Sequence, residues 1–149
     1  YPMRTLITSE FHYIRNFRSN RWPAGDLPVG PLPPEEMLKS NAHAVFGDCD
    51  SGPTKAFLVM HAEDSAVRTF WERAFARRPS RELYDKRTDP FELRNVAEEP
   101  AYAEIVKEMD ARLMAELKAT RDPRAIGGGD EFDRYKGISE KPKTEKPKK

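Results

Sequence analysis

The sequence predicts an α+β fold, in which a small antiparallel sheet is covered on one face by a long amphipathic helix near the C-terminus. Three observations lead there. Residues 3 to 17, "MRTLITSEFHYIRNF", alternate side chains at a period of two, as a half-buried hairpin does. Residues 64 to 78, "DSAVRTFWERAFARR", and residues 102 to 117 repeat apolar side chains at helical spacing. Between them "RELYDKRTDPFELRNVAEEP", residues 81 to 100, passes from a short strand through a tight acidic turn to a helix start.

Taken in order, the hairpin comes first, turning at Ser9-Glu10. Phe11, Tyr13, Arg15 and Phe17 share one face of its second strand, with His12, Ile14 and Asn16 on the other. The turn lacks the Gly or Asn that two-residue hairpin loops favour, so its type stays open. Residues 18 to 53 then read as a Pro-rich loop, interrupted by one helical turn at "PPEEMLKS". "GPTKAFLVMHA" predicts a helix opened by Pro53 in its first turn. Asp64 is placed to cap the next helix, whose stripe is Val67, Phe70, Trp71, Ala74 and Phe75, with Arg77 and Arg78 closing its last turn. Leu83 and Tyr84 form a strand, Asp89-Pro90 a turn, and Phe91 and Leu93 a further extended run. Pro100 starts the final helix, with the stripe Tyr102, Ile105, Val106, Met109, Leu113 and Leu117. Residues 1–125 thus make one domain. Residues 126–149 read as a linker, "GGGD" at 127 to 130, and a disordered tail carrying six Lys against two Glu.

Composition excludes several function classes. A net charge of +1 gives no global field to draw nucleic acid or an anionic membrane. One cysteine, Cys49, rules out an internal disulfide and a Cys-cluster metal site. No apolar run reaches the roughly 20 residues of a membrane span, so neither nucleic acid nor membrane is an expected partner. The start at Tyr1, almost at once in a strand pattern, suggests a piece of something longer.

The segment from Glu82 to Leu117 resembles the end of sulfatases of the alkaline-phosphatase superfamily, which close on ELYDL-x-x-DP-x-E-x-x-N-LA and one amphipathic helix. Glu82, Leu83, Tyr84, Asp85, Asp89, Pro90, Glu92, Asn95 and Ala97 match; Lys86 and Phe91 replace the usual Leu and Gly. Upstream, Arg4, Thr5, Tyr13, Ile14 and Asn16 match the family's R-T-x-R-Y-K-Y-I-x-N hairpin. "NRWPAGD" and "GDCDSGPTKAFLVMH" are similar to the heparan N-sulfatase (sulfamidase) branch. The resemblance implies about four antiparallel strands packed by the C-terminal helix, a subdomain that docks on a large α/β catalytic domain. It also implies an exported parent enzyme (periplasmic, extracellular or lysosome-like) acting on sulfate esters or N-sulfates of glycans with a formylglycine and calcium, both held by that other domain.

Within this chain the chemistry is sparse. Formylglycine forms at a C/S-x-P-x-R motif; Cys49 lacks the proline, and Ser51-Gly52-Pro53-Thr54-Lys55 has Lys where Arg belongs. His12, His43 and His61 match no metal-ligand spacing, and Asp48 and Asp50 lack the bidentate Glu that completes a calcium loop. No catalytic or metal-ligating residue is therefore assigned, and the chain alone is expected to be inactive. The expected substrate contacts lie in the loop: Arg18 and Arg21 as forked donors to sulfate, Trp22 as a flat face for a sugar ring, Asp48 and Asp50 as hydroxyl acceptors, and Lys55 as an anion contact. A bland alternative is a surface loop with solvated arginines. A non-enzymatic module for sulfated saccharides, using Arg15, Arg18, Arg21 and Lys55, is the other functional reading. A binder acting through the lysine tail is weakened by the tail's lack of aromatics.

Overall fold

The computed structural model describes residues 1–134; the lysine-rich tail assigned from sequence lies outside them. The described residues fall into two compact units, Tyr1–Leu113 and a second that begins at Met114. In the first, β1 (Met3–Ile7), β2 (Phe11–Asn16) and β3 (Arg81–Asp85) make an antiparallel sheet in that order. Leu6 faces Tyr13, and Tyr13 faces Leu83, so apolar side chains align across all three strands. Thr8 replaces the missing Gly or Asn of the hairpin turn. Its hydroxyl donates to the Phe11 carbonyl and accepts from the amides of Glu10 and Phe11.

Three strands, rather than about four, compose the sheet. The expected extended run at Phe91 and Leu93 does run beside β3, yet it builds no ladder. Glu92 has a positive φ of 54°, which breaks the extension. The Asn95 side chain accepts from the Leu83 amide at 2.9 Å and donates to the Arg81 carbonyl, and only Val96 returns a backbone bond, to Leu83. A side-chain amide thus blunts the sheet edge where a fourth strand was expected.

One face of the sheet is closed by α4 (Ala103–Ala119), entered through a 3-10 turn at Pro100–Tyr102. Tyr13 and Leu83 are fully enclosed there, with Val106, Met109 and Leu113 buried on the helix. Asp110 anchors this layer by accepting from Tyr13 Oη at 2.8 Å and Arg15 Nη1 at 2.5 Å. Burial alone would raise the Asp110 pKa, but those two donors hold it below the ordinary carboxylate value.

Between β2 and β3 the insertion builds a second core. It contains α1 (Glu35–Ser40), α2 (Pro53–Met60) and α3 (Ser65–Phe75). Asp64 caps α3, accepting from the Ala66 amide, and Pro53 opens α2, as their sequence positions require. α3 ends at Phe75, one turn earlier than its arginines suggested, because Ala76 turns extended ahead of Pro79. Leu38, Val45, Phe46, Ala56, Val59 and Phe75 form the core, rimmed by Trp22 and Trp71. Phe46 and Phe75 stack with centroids 4.5 Å apart. Such a pair is worth about 1 kcal/mol beyond its burial. Loop residues 24–26 pair with 46–48 through Asp48 N to Ala24 O and Phe46 N to Asp26 O. A Cβ on Gly25, whose φ is +94°, would sit 2.8 Å from the Gly47 amide, so glycine alone fits this crossing. Phe70 breaks the stripe expected on α3, with 59% of its surface exposed.

In the second unit the rest of α4 leads to α5 (Pro123–Ile126), capped by the Asp122 side chain. Residues Gly129–Arg134, read from sequence as the linker's end and beyond, form a 3-10 turn.

Candidate functional site

The loop entering α2 is held by Lys55. Its side chain turns inward, the residue is 4% exposed, and the ammonium donates to the carbonyls of Ala42 (2.8 Å), Phe46 (3.0 Å) and Cys49 (2.8 Å). An ammonium has three N–H groups, and all three are spent. The residue expected to meet an anion is instead the post around which residues 42–49 wrap.

Around that post lies a cleft of about 550 Å³, lined by Asp48, Cys49, Asp50, Ser51, Thr54 and Lys55 among others. Asp48 and Asp50 are exposed at its mouth, available as hydroxyl acceptors, while Lys55 contributes its stem to the wall. Among the described residues, neither Cys49 nor Ser51 hydrogen-bonds through its side chain to a base, and no group of three His, Cys, Asp or Glu side chains converges on one point.

Trp22, Arg18 and Arg21 do not line this cleft. Trp22 is half-buried, edge-on to Phe46 at 5.9 Å and to Trp71 at 6.3 Å, and the Arg77 guanidinium lies over its ring at 4.8 Å. The face expected to take a sugar is thus occupied by a cation. Arg18 is half-buried, and Arg21 is exposed one turn later, its amide donating to the Arg18 carbonyl. Of the six residues, the structure gathers Asp48, Asp50 and Lys55 and leaves the other three apart.

At the C-terminal end of β3 the matched Asp85 anchors a hydrogen-bonded corner. Asp85, 2% exposed, accepts from Arg87 Nε at 2.8 Å, Arg87 Nη2 at 2.7 Å and Tyr102 Oη at 3.1 Å. The Arg87 guanidinium first of all, against the cost of burial, lowers the Asp85 pKa to about 2. His12 bridges Glu92 and Thr5, each at 2.7 Å. Asp85 is enclosed in this corner, whereas Arg87 and Thr5 reach it from the surface.

A further set escaped sequence reasoning. On the face away from α4, buried Glu82 accepts from Asn16 Nδ2 at 2.7 Å and Tyr84 Oη at 2.6 Å. Burial and that carboxylate push the Tyr84 pKa upward. Arg73 and Arg78 stand over this face. The only sequence signal was the cluster of arginines at the end of α3, which suits a helix dipole equally well.

Comparison with family models, curated proteins and solved structures returned no match. No helix among the described residues is long and apolar enough to cross a membrane.

Proposed function

We propose that this chain is the C-terminal portion of a sulfatase of the alkaline-phosphatase superfamily, near the sulfamidase-like branch. In this reading it supports the fold and shapes the substrate pocket of an enzyme that hydrolyses sulfate esters or N-sulfates of glycans. The nucleophile and the calcium belong to the catalytic domain on which it docks. The observation that carries the reading is the fate of the matched residues. Glu82, Asp85, Glu92 and Asn95 each bind another strand, turn or edge of this unit. A segment with that pattern of residues serves architecture, which is the role the family gives it.

The test is expression of the whole gene product and of this chain, each assayed with calcium on a sulfated glycan fragment and on an aryl sulfate. Sulfate release is expected from the whole product and none from the chain alone. Turnover by the chain, abolished by Ser51→Ala or Cys49→Ala, would sink the reading, as would a whole gene product with no C/S-x-P-x-R motif. A second reading, a sulfated-glycan-binding module without chemistry of its own, is favoured by the arginines of Arg73, Arg77 and Arg78, none of which meets a carboxylate among the described residues.

A further inference from the structure

The sheet has two edges, and they are finished differently. At β3 the Asn95 side chain and the Val96 amide occupy outer backbone groups of Arg81 and Leu83. β1 is the other edge, and its pairing with β2 fixes which of its backbone groups turn outward. The Phe17 amide donates to the Pro2 carbonyl and the Thr8 amide to the Phe11 carbonyl, so the even-numbered residues of this strand bond to β2. The N–H and C=O groups of Met3, Thr5 and Ile7 therefore point away from the sheet. Among the described residues no backbone group meets them, and the Arg4 guanidinium donates to the Met3 carbonyl at 2.8 Å. Natural edges are blunted by a lysine, a bulge or an outward-facing proline. β1 carries no lysine, its register runs unbroken from Met3 to Ile7, and Pro2 turns its nitrogen toward β2. On the face away from α4, Met3 and Ile7 are 52% and 59% exposed.

We propose that β1 is the seam through which this unit joins the catalytic domain, an extended segment of that domain adding to the sheet as a further strand. The seam rests on the sulfatase reading, in which the chain docks on such a domain. Strand addition meets the outward groups of Met3, Thr5 and Ile7 together, with donors and acceptors in one repeat. The segment must match the five residues of β1, hold no proline where it bonds to them, and set apolar side chains beside Met3 and Ile7. A second copy of this chain fits less well. Antiparallel pairing about Thr5 places Ile7 of one copy beside Met3 of the other. It also sets the two Arg4 side chains diagonally across the seam, about 7–8 Å apart, where like charges repel.

Hydrogen exchange read residue by residue in the whole gene product and in this chain tests the seam. In the chain, β2 should protect the amides of Arg4 and Leu6, while those of Thr5 and Ile7 exchange freely. In the whole product, exchange at Thr5 and Ile7 should slow by about tenfold or more. Thr5→Pro deletes an outward donor without removing a bond to β2, and Thr5→Val keeps that donor while losing the same hydroxyl. The drop in melting temperature from the valine to the proline variant should be larger in the whole product than in the chain. Far-UV circular dichroism checks that both variants fold. Thr5 and Ile7 amides that exchange as fast in a sulfate-releasing whole product as in the chain overturn the seam and leave the sulfatase reading intact. Slowed amides in a whole product with no C/S-x-P-x-R motif overturn the sulfatase reading while supporting strand addition at β1. Protection in the chain alone that grows with its concentration overturns the catalytic domain as occupant in favour of a second copy.

Discussion

Replacing Lys55 by Met keeps an unbranched apolar stem in the α2 wall and deletes the ammonium. Three carbonyls then each lose a donor, those of Ala42, Phe46 and Cys49 at 2.8, 3.0 and 2.8 Å. The buried Phe46 carbonyl keeps the Cys49 amide as a donor at 3.0 Å, so it loses one hydrogen bond, about 1 kcal/mol, and does not stand unsatisfied. The Ala42 and Cys49 contacts lie nearer solvent, and water recovers part of each, leaving about 1 kcal/mol apiece. Against these about 3 kcal/mol stands the relief of no longer burying a charge, which returns about 1 kcal/mol. A net loss of about 2 kcal/mol corresponds to a fall in Tm of about 8 °C for a unit of this size. Urea and thermal unfolding near pH 7 measure it. A variant within about 0.5 kcal/mol of the parent would refute the reasoning, because a side chain whose donors met solvent would lose only that much. A Lys55→Met protein of unchanged Tm but weakened sulfate affinity would return Lys55 to its sequence-assigned role as an anion contact.

Asp85 makes stability depend on acid. Its folded pKa of about 2 lies below the ordinary carboxylate value, so its contribution of about 2 kcal/mol is complete above about pH 4 and disappears as pH falls through 2. Asp85→Asn should flatten the stability profile across that window; an unchanged acid limb would contradict the assignment. Asn95→Ala should cost about 2 kcal/mol in urea unfolding, since the amides of Leu83 and Ala97 lose their acceptor, while Asn95→Asp, which keeps both acceptor positions, should cost less than half as much. Equal losses would show that the side-chain oxygen is not what holds the sheet edge. Under the sulfatase proposal, Arg21→Ala in the whole gene product should raise KM for a sulfated saccharide tenfold or more and leave an aryl sulfate nearly unaffected. Equal effects on both substrates would return that loop to a structural role.

The sequence alone determined those elements whose signals are local. Proline fixes φ and lacks a donor, so Pro53 and Pro100 marked helix starts wherever the rest of the chain went. Asp64 capped α3 because a carboxylate two residues from a bare amide needs no distant partner. The hairpin faces and the α4 stripe followed from periods of two and 3.6, which hold whatever lies opposite. Local composition does not encode who reaches whom across the fold. Lys55 looked like an anion contact until the tertiary structure folded residues 42–49 around it, and Trp22 looked like a sugar platform until α3 brought Arg77 over its ring. The fourth strand failed for the same reason: Asn95 meets the edge of β3 across a turn, and a side-chain amide can replace backbone ladder bonds only when the chain has returned to that edge. Arg73, Glu82 and Tyr1 sit far apart along the chain, and only the packing of α3 beside the sheet makes them walls of one groove. Helix starts, caps and faces arise from neighbours within a turn of the backbone, whereas sites arise from long-range contacts whose partners a linear pattern leaves unspecified.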